Sequence, residues 1–352
     1  MKIDDLSTPA ALVDCRIAEA NLVRAQSYAD ANGLKLRPHI KTHKLPFFAH
    51  RQIALGATGI NCQKLGEAEV MADAGIVDIF ISYNIIGEEK LARLRALHER
   101  ISISVSADNA VTVAGYASVF RDAAHPLPVL VECDTGGGRC GAQSVDEAIS
   151  LARCIDAAPG LHFEGLMTYP SEGQSSRVEA FMRTAIDDLT AAGLPPTRIS
   201  NGGSPDLYSA AEVKSATEHR PGTYIYSDRM QVEFGLGRFE DCALTVLTTV
   251  VSCPTTDRVI IDAGSKALAA DLCNSPGHGY IVEYPQAVLA TLNEEHGIAD
   301  FSNCKDRPLI GDRIHVIPNH VCVVTNLFDT VYLTNDGIDA EAFPVAARGR
   351  MQ

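Results

Sequence analysis

Three groups of residues in this sequence have types and spacings that could do chemistry. The first is Arg37-Pro38-His39-Ile40-Lys41-Thr42-His43-Lys44, which sets a lysine between two histidines. A lysine held among polar groups can lose its proton and condense with an aldehyde to a Schiff base. Read as an extended segment, alternation puts His39, Lys41 and His43 on one face and turns Lys44 away. Lys41 is then the candidate, Lys44 its competitor, and an ordinary solvated lysine the bland alternative. The second group is glycine-bearing: Asn201-Gly202-Gly203-Ser204 and Arg220-Pro221-Gly222-Thr223-Tyr224. Glycine lets backbone N–H groups approach a phosphate closely, but it also serves plain tight turns, and the two readings balance here. The third is His320-Val321-Cys322. On an extended segment the i, i+2 spacing sends both side chains to one face, where imidazole and thiolate suit zinc. Such a pair also arises by chance. Pro318-Asn319 before it marks a turn, so the pair is expected at a loop edge.

Elements must position these groups. β-rich runs at Leu34–Ile40, Thr58–Cys62, Val77–Ser82, Ile101–Val105, Pro128–Cys133, His162–Met167, Thr197–Ser200 and Arg220–Tyr226 alternate with helical runs such as Glu67–Ala74, Glu88–His98, Val145–Ala157 and Val178–Ala192. Asp108 and Asp206 stand where helix N-caps would sit. Eight strands with helices between them predict an α/β fold, a (β/α)8 barrel spanning residues 1–240, with residues 1–15 able to join a second domain. No G-x-G-x-x-G follows the first strand, which argues against a dinucleotide-binding sheet. In a barrel the site forms at the strands' C-terminal ends. The candidate groups fall there, joined by Asp134-Thr135-Gly136-Gly137-Gly138-Arg139-Cys140-Gly141 after the fifth strand and Tyr169 after the sixth. The loops after strands seven and eight, with Gly202, Gly203 and Gly222, are where barrels commonly hold phosphate. From residue 241 to 352 the pattern turns to strands at Ala243–Ser252, Asp257–Asp262, Gly279–Glu283, Arg313–Ile317 and Phe328–Thr334, predicting a mostly β domain that carries His320 and Cys322.

Composition sets outer limits. The chain has 352 residues, 46% hydrophobic, with 30 Lys+Arg against 44 Asp+Glu for a net charge of -14. An acidic chain without a basic block argues against nucleic acid or an anionic membrane as partner. No run is long and apolar enough for a bilayer span, and the acidic start lacks a signal peptide's apolar stretch, so a cytoplasmic protein is expected. The ten cysteines contain no C-x-x-C pair, as expected of reduced thiols. Cys15, Cys154 and Cys242 read as small core residues. Tyr83 and His162 read as core or supporting residues.

Thr8-Pro9-Ala10-Ala11-Leu12-Val13-Asp14, the RPHIKTHK segment Arg37–Lys44 and PNHVC at Pro318–Cys322 resemble the D-threonine aldolase and eukaryotic-type D-serine dehydratase family. That family has the alanine-racemase-like fold and depends on pyridoxal 5'-phosphate (PLP). The resemblance runs in order over nearly the whole chain. It implies that Lys41 carries PLP as a Schiff base and that Arg139 sits by the cofactor's ring and phenolic oxygen. Tyr169 matches a position near the cofactor, although its LMTYPS setting departs from the family pattern. Gly202, Gly203, Ser204, Gly222, Thr223 and Tyr224 match the phosphate-binding loops. Asn201–Pro205 replaces a more Thr-rich loop. His320 and Cys322 match a divalent-metal pair, with zinc favoured by the thiolate and manganese as the alternative. The implied substrate is a small D-3-hydroxy-α-amino acid and the implied assembly a homodimer. Two reactions share such a site: dehydration and deamination of the D-serine or 3-hydroxy-D-aspartate type, towards which Cys322 leans, and retro-aldol cleavage to glycine and an aldehyde. A metal-free PLP racemase, with Tyr280, Tyr284 or Tyr332 as an acid/base, is the third reading.

Overall fold

The computed structural model describes all 352 residues, in two compact units. Arg24–Lys41, Pro46–Gly222 and Arg350–Gln352 form the first; Met1–Val23, Thr42–Leu45 and Thr223–Gly349 form the second. The boundary at 222/223 lies upstream of the composition change near residue 241, because the intervening segment carries short helices and no barrel strand.

The first unit is the expected barrel. Its strands are Lys35–Leu36, Ile60–Cys62, Asp78–Ile81, Ser102–Ala107, Leu127–Cys133, Leu161–Thr168, Arg198–Asn201 and Glu218–His219. Strands adjacent in this order pair in parallel from the second to the eighth, and the eighth pairs with the first. The sheet closes just past Leu36, where His39 bridges Asn61 and the Ile40 N–H donates to the Asn61 carbonyl at 2.9 Å. The helices between follow ordinary rules. Val145–Ala157 starts at Ser144, whose hydroxyl accepts from the Glu147 N–H at 3.2 Å, and it buries Ala148, Leu151, Ala152 and Ile155 on one face.

Four local expectations need correction. The first strand stops at Leu36 because Pro38 cannot donate to a ladder. The eighth is Glu218–His219 rather than Arg220–Tyr226; Pro221 ends it, and Thr223–Ile225 is a 3-10 turn. Asn109, not Asp108, caps helix Ala110–Phe120 by accepting from the Thr112 N–H, while Asp108 binds Asn84 and the Gly141 N–H. Asp206 lies inside a short 3-10 turn, Ser204–Asp206.

The barrel interior is unusually charged. Phe80, Leu130 and Met167 pack as one buried cluster, and the Arg198 guanidinium lies 4.5 Å from the Phe80 ring centre. Glu218, fully buried, accepts from Arg37 at 2.7 Å, Arg198 at 2.9 Å and the Ser200 hydroxyl at 2.5 Å. Burial alone would raise its carboxyl, but Arg37 and Arg198 outweigh that and hold it at about 2. Its contribution to stability is therefore present above the ordinary carboxylate range and is lost as pH falls towards 2. Glu218→Gln, which leaves two buried guanidiniums short of a charge partner, is expected to destabilise the barrel by about 3 kcal/mol at pH 7. Urea unfolding would measure this. The gap to wild type should narrow below pH 4, and a loss under about 1 kcal/mol at pH 7 would remove the network from the stability argument.

The second unit is built on a nine-stranded mixed sheet. Ala10–Asp14 lies between Leu244–Ser252, to which it is antiparallel, and Thr330–Thr334, to which it is parallel. The chain's first strand thus joins the β domain. Arg258–Ile261, Gly297–Asp300 and Val288–Leu292 extend the sheet on one side and Ala340–Pro344 on the other, while Arg313–Pro318 pairs with Leu244–Ser252 and Gly279–Ile281. All ten cysteines are free. Cys242 is buried as expected, but Cys154 is exposed, on the outer face of its helix. Tyr83 and His162 are also exposed rather than core. No helix is long and apolar enough to cross a membrane.

Candidate active site and metal pair

Lys41 stands half-buried where the barrel's first strand gives way to a turn. The segment is not extended there, so strand alternation does not set its direction. Hydrogen bonds do. The Lys41 N–H donates to His39 Nδ1 at 3.3 Å, and His39 Nε2 meets Gln63 Oε1 at 3.0 Å. Lys44 is removed from contention for a reason the spacing did not give. Its backbone takes a left-handed φ of 56°, and its buried amine donates to the Ala347 carbonyl at 3.3 Å in the second unit.

The rim of the barrel brings several candidates together. Asp134 accepts from the Gly136 N–H at 2.9 Å and the Gly138 N–H at 3.1 Å, fixing the loop that carries Arg139. Burial opposes the charge on Asp134, but these backbone donors outweigh it and lower its carboxyl. Arg139 lies 4.7 Å from the centre of the Tyr169 ring and 3.6 Å from buried Glu132. Burial raises the Glu132 carboxyl, with Arg139 and Arg220 opposing. A Cβ on Gly203 would collide with the Tyr169 ring, so only glycine fits against it. Gly202 takes a φ of +81°, and a Cβ there would meet the His219 imidazole. Burial lowers His219 to about 4, so it is neutral. Its Nδ1–H donates to the Asn201 carbonyl at 3.2 Å, and its Nε2 is buried with no partner. The Gly222 N–H donates to Ser204 Oγ at 3.1 Å, joining the two glycine loops. Thr223 and Tyr224 follow Gly222 directly in the chain and open the segment Thr223–Gly349 of the second unit.

His320 and Cys322 meet, but not by strand alternation. Arg313–Pro318 is the strand, His320 caps the helix Val321–Leu327, and Cys322 lies in that helix's first turn. His320 Nδ1 donates to Asp228 Oδ2 at 2.9 Å, and the same oxygen accepts from the Val321 N–H at 3.1 Å. Asp228 is fully buried, and its other oxygen caps the helix Arg229–Glu233 through the Gln231 N–H at 2.9 Å. Cys322 Sγ lies 3.1 Å from the Thr42 hydroxyl and 3.6 Å from the Thr223 hydroxyl. Burial disfavours charge on His320, but Cys322 and Asp228 outweigh it and push the imidazole up to about 11. No third His, Cys, Asp or Glu completes a cage, so an ion held here would keep open positions.

Residues 13–230 match the alanine racemase N-terminal domain and residues 243–334 a serine dehydratase domain. The chain is 34% identical to a D-threonine aldolase of Arthrobacter sp over 98% of this chain and 93% of that one. The chain belongs to this family of PLP-dependent lyases. A D-threonine aldolase of Filomicrobium marinum superposes with a TM-score of 0.92 at 30% identity, over 100% of this chain and 98% of that one. The D-threo-3-hydroxyaspartate dehydratase of Delftia sp. (strain HT23) is 30% identical over 90% of this chain and 91% of its own. A cysteine-to-alanine variant of D-threo-3-hydroxyaspartate dehydratase, in the metal-free form, superposes with a TM-score of 0.88 at 28% identity, over 98% of each chain.

Within this lyase the residues that sequence reasoning missed are supporting ones. Asp228 lies far from His320 in the chain and has no motif of its own. Glu132 reads as one more strand residue. Thr42 stood in the RPHIKTHK segment, yet nothing in that spacing joins its hydroxyl to Cys322.

Proposed function

We propose that the chain is a PLP- and divalent-metal-dependent lyase of D-3-hydroxy-α-amino acids, working by dehydration to a keto acid and ammonia. The observation that carries this reading is the His320–Cys322 pair with Asp228 behind the imidazole.

The residues present suit both groups. Lys41 would hold PLP through its amine, with Arg139 and Tyr169 beside the ring and the Gly202–Ser204 turn at the phosphate. The close fit of Gly203 to Tyr169 and of Gly202 to His219 leaves backbone rather than side chain facing that space. Bound PLP supplies an electron sink for charge at Cα. His320 and Cys322 would hold the metal, which supplies Lewis acidity toward a hydroxyl oxygen. The chain's own residues prepare the pair. Asp228 holds the proton on His320 Nδ1 and orients the ring, so that an ion displacing the proton on Nε2 would meet that nitrogen already aimed. The Thr42 and Thr223 hydroxyls lie within reach of Cys322 Sγ and can stabilise negative charge on it. Glu132 and Tyr169 both lie against the Arg139 guanidinium.

Thiolate in place of a harder carboxylate favours zinc over manganese. A second reading is retro-aldol cleavage, favoured by the 34% identity to a D-threonine aldolase. The products separate the two. Incubation of the protein, loaded with PLP and zinc, with D-threonine, D-serine and 3-hydroxy-D-aspartate should yield keto acid and ammonia, quantified by mass spectrometry and an ammonia assay. Glycine and an aldehyde would establish the aldolase instead. Racemised amino acid alone would end the lyase reading.

A further inference from the structure

The barrel rim carries a cavity of about 540 Å³ lined by Gln63, Ser82, Tyr83, Asn84, Ile86 and Lys90, with Glu132, Arg139 and Cys140 completing the wall. It lies beside the Lys41 turn, because Gln63 is the residue that binds His39. Most of its polar groups are already engaged. Gln63 Nε2 donates to the Ser82 carbonyl at 3.1 Å, and Ser82 Oγ accepts from Asn61 at 2.9 Å. Asn84 donates to Asp108 at 2.8 Å, and Glu132 faces Arg139 at 3.6 Å.

Lys90 is different. Two acids, Glu88 and Glu89, precede it, yet no carboxylate reaches ion-pair distance of its amine, and Glu89 turns instead to Arg93 at 3.2 Å. Glu132 and Arg139 cancel each other's charge, so the half-buried Lys90 ammonium gives the cavity its net sign. Tyr83, 41% exposed, sets its ring under the Lys64 amine at 3.7 Å, which adds a second cation beside the same wall. A methyl or hydrogen on a substrate's Cβ would leave this cation unmatched. A carboxylate there would satisfy it.

We propose that Lys90 receives a second, distal carboxylate of the substrate, so that the preferred substrates are acidic D-3-hydroxy amino acids of the 3-hydroxyaspartate type. This inference rests on the lyase reading above. A charge-assisted contact of this kind is worth about tenfold to a hundredfold in affinity.

The test uses full-length protein loaded with PLP. D-Aspartate carries both carboxylates but no 3-hydroxyl, so it probes binding without lyase chemistry. Calorimetric titration should show wild type binding D-aspartate more tightly than D-alanine. Lys90→Met should raise the D-aspartate Kd about tenfold or more, and Lys90→Arg should keep it within about threefold of wild type. In turnover, Lys90→Met should lower the ratio of kcat/KM for 3-hydroxy-D-aspartate over D-threonine by a similar factor. Wild type that prefers D-alanine, a Lys90→Met Kd equal to wild type, or equal losses on both substrates would overturn the assignment. If wild type turns over no D-3-hydroxy amino acid, the lyase reading falls, and the D-aspartate titration still decides the role of Lys90.

Discussion

Lys41→Ala is expected to abolish both the visible-range absorbance of bound PLP and all lyase activity, with the fold intact. Lys41 is half-buried on a turn. Truncating it should cost stability only at the level of an ordinary surface substitution, within about 0.5 kcal/mol. Loss of the Schiff base is different, because it removes the bond proposed to tie the cofactor's aldehyde to the chain. Lys44 is the control. Its amine is held on the Ala347 carbonyl and its backbone φ of 56° is one a side chain rarely adopts. Lys44→Ala should keep the absorbance and lose some stability. Reduction with borohydride followed by peptide mass spectrometry should place the cofactor on Lys41. A modified Lys44, or full activity in Lys41→Ala, would show the assignment to be wrong.

The barrel was readable because buried parallel strands form short apolar runs, and the turns between them carry Gly, Pro and Asp. Leu127–Cys133 and Glu88–His98 are clear cases, expected within a residue or two of where they lie. Irregular backbone was not readable. Pro38 and Pro221 cut short the strands that lead to Lys41 and Gly222, so the choice of Lys41 over Lys44 rested on an alternation that the chain does not have. The pairing of His320 with Cys322 was expected from alternation on an extended segment, yet the backbone joining them is a helix start. A capping residue and the helix's second position can also bring two side chains together. Asp228 could not be found this way, since it meets His320 only through the fold. The same holds for Glu218, whose charge looks out of place in a core strand until Arg37 and Arg198 are seen around it.

Removal of the metal pair should separate catalysis from cofactor binding. Cys322→Ala, or exhaustive EDTA treatment of wild type, is expected to leave the PLP absorbance unchanged and to lower the lyase rate at least a hundredfold. The two halves of that expectation have separate grounds. Lys41 and the glycine turn belong to the barrel unit, whereas His320 and Cys322 belong to the mixed-sheet unit, so the groups that would hold PLP are not those that would hold the ion. Expelling hydroxide, or breaking the bond beside a hydroxyl, is difficult without a Lewis acid on that oxygen. Asp228→Asn should fall between wild type and Cys322→Ala. The amide oxygen can still accept from His320 Nδ1, at the cost of the Gln231 cap, but the charge that strengthens the imidazole as a donor to the ion is lost, a change worth about 10- to 100-fold. Zinc added to the EDTA-treated protein should restore activity better than manganese, because one ligand is a sulfur. Full activity of metal-free protein on every D-3-hydroxy amino acid tried would sink the metal-assisted mechanism. Metal-free interconversion of D- and L-amino acids would put racemisation in its place.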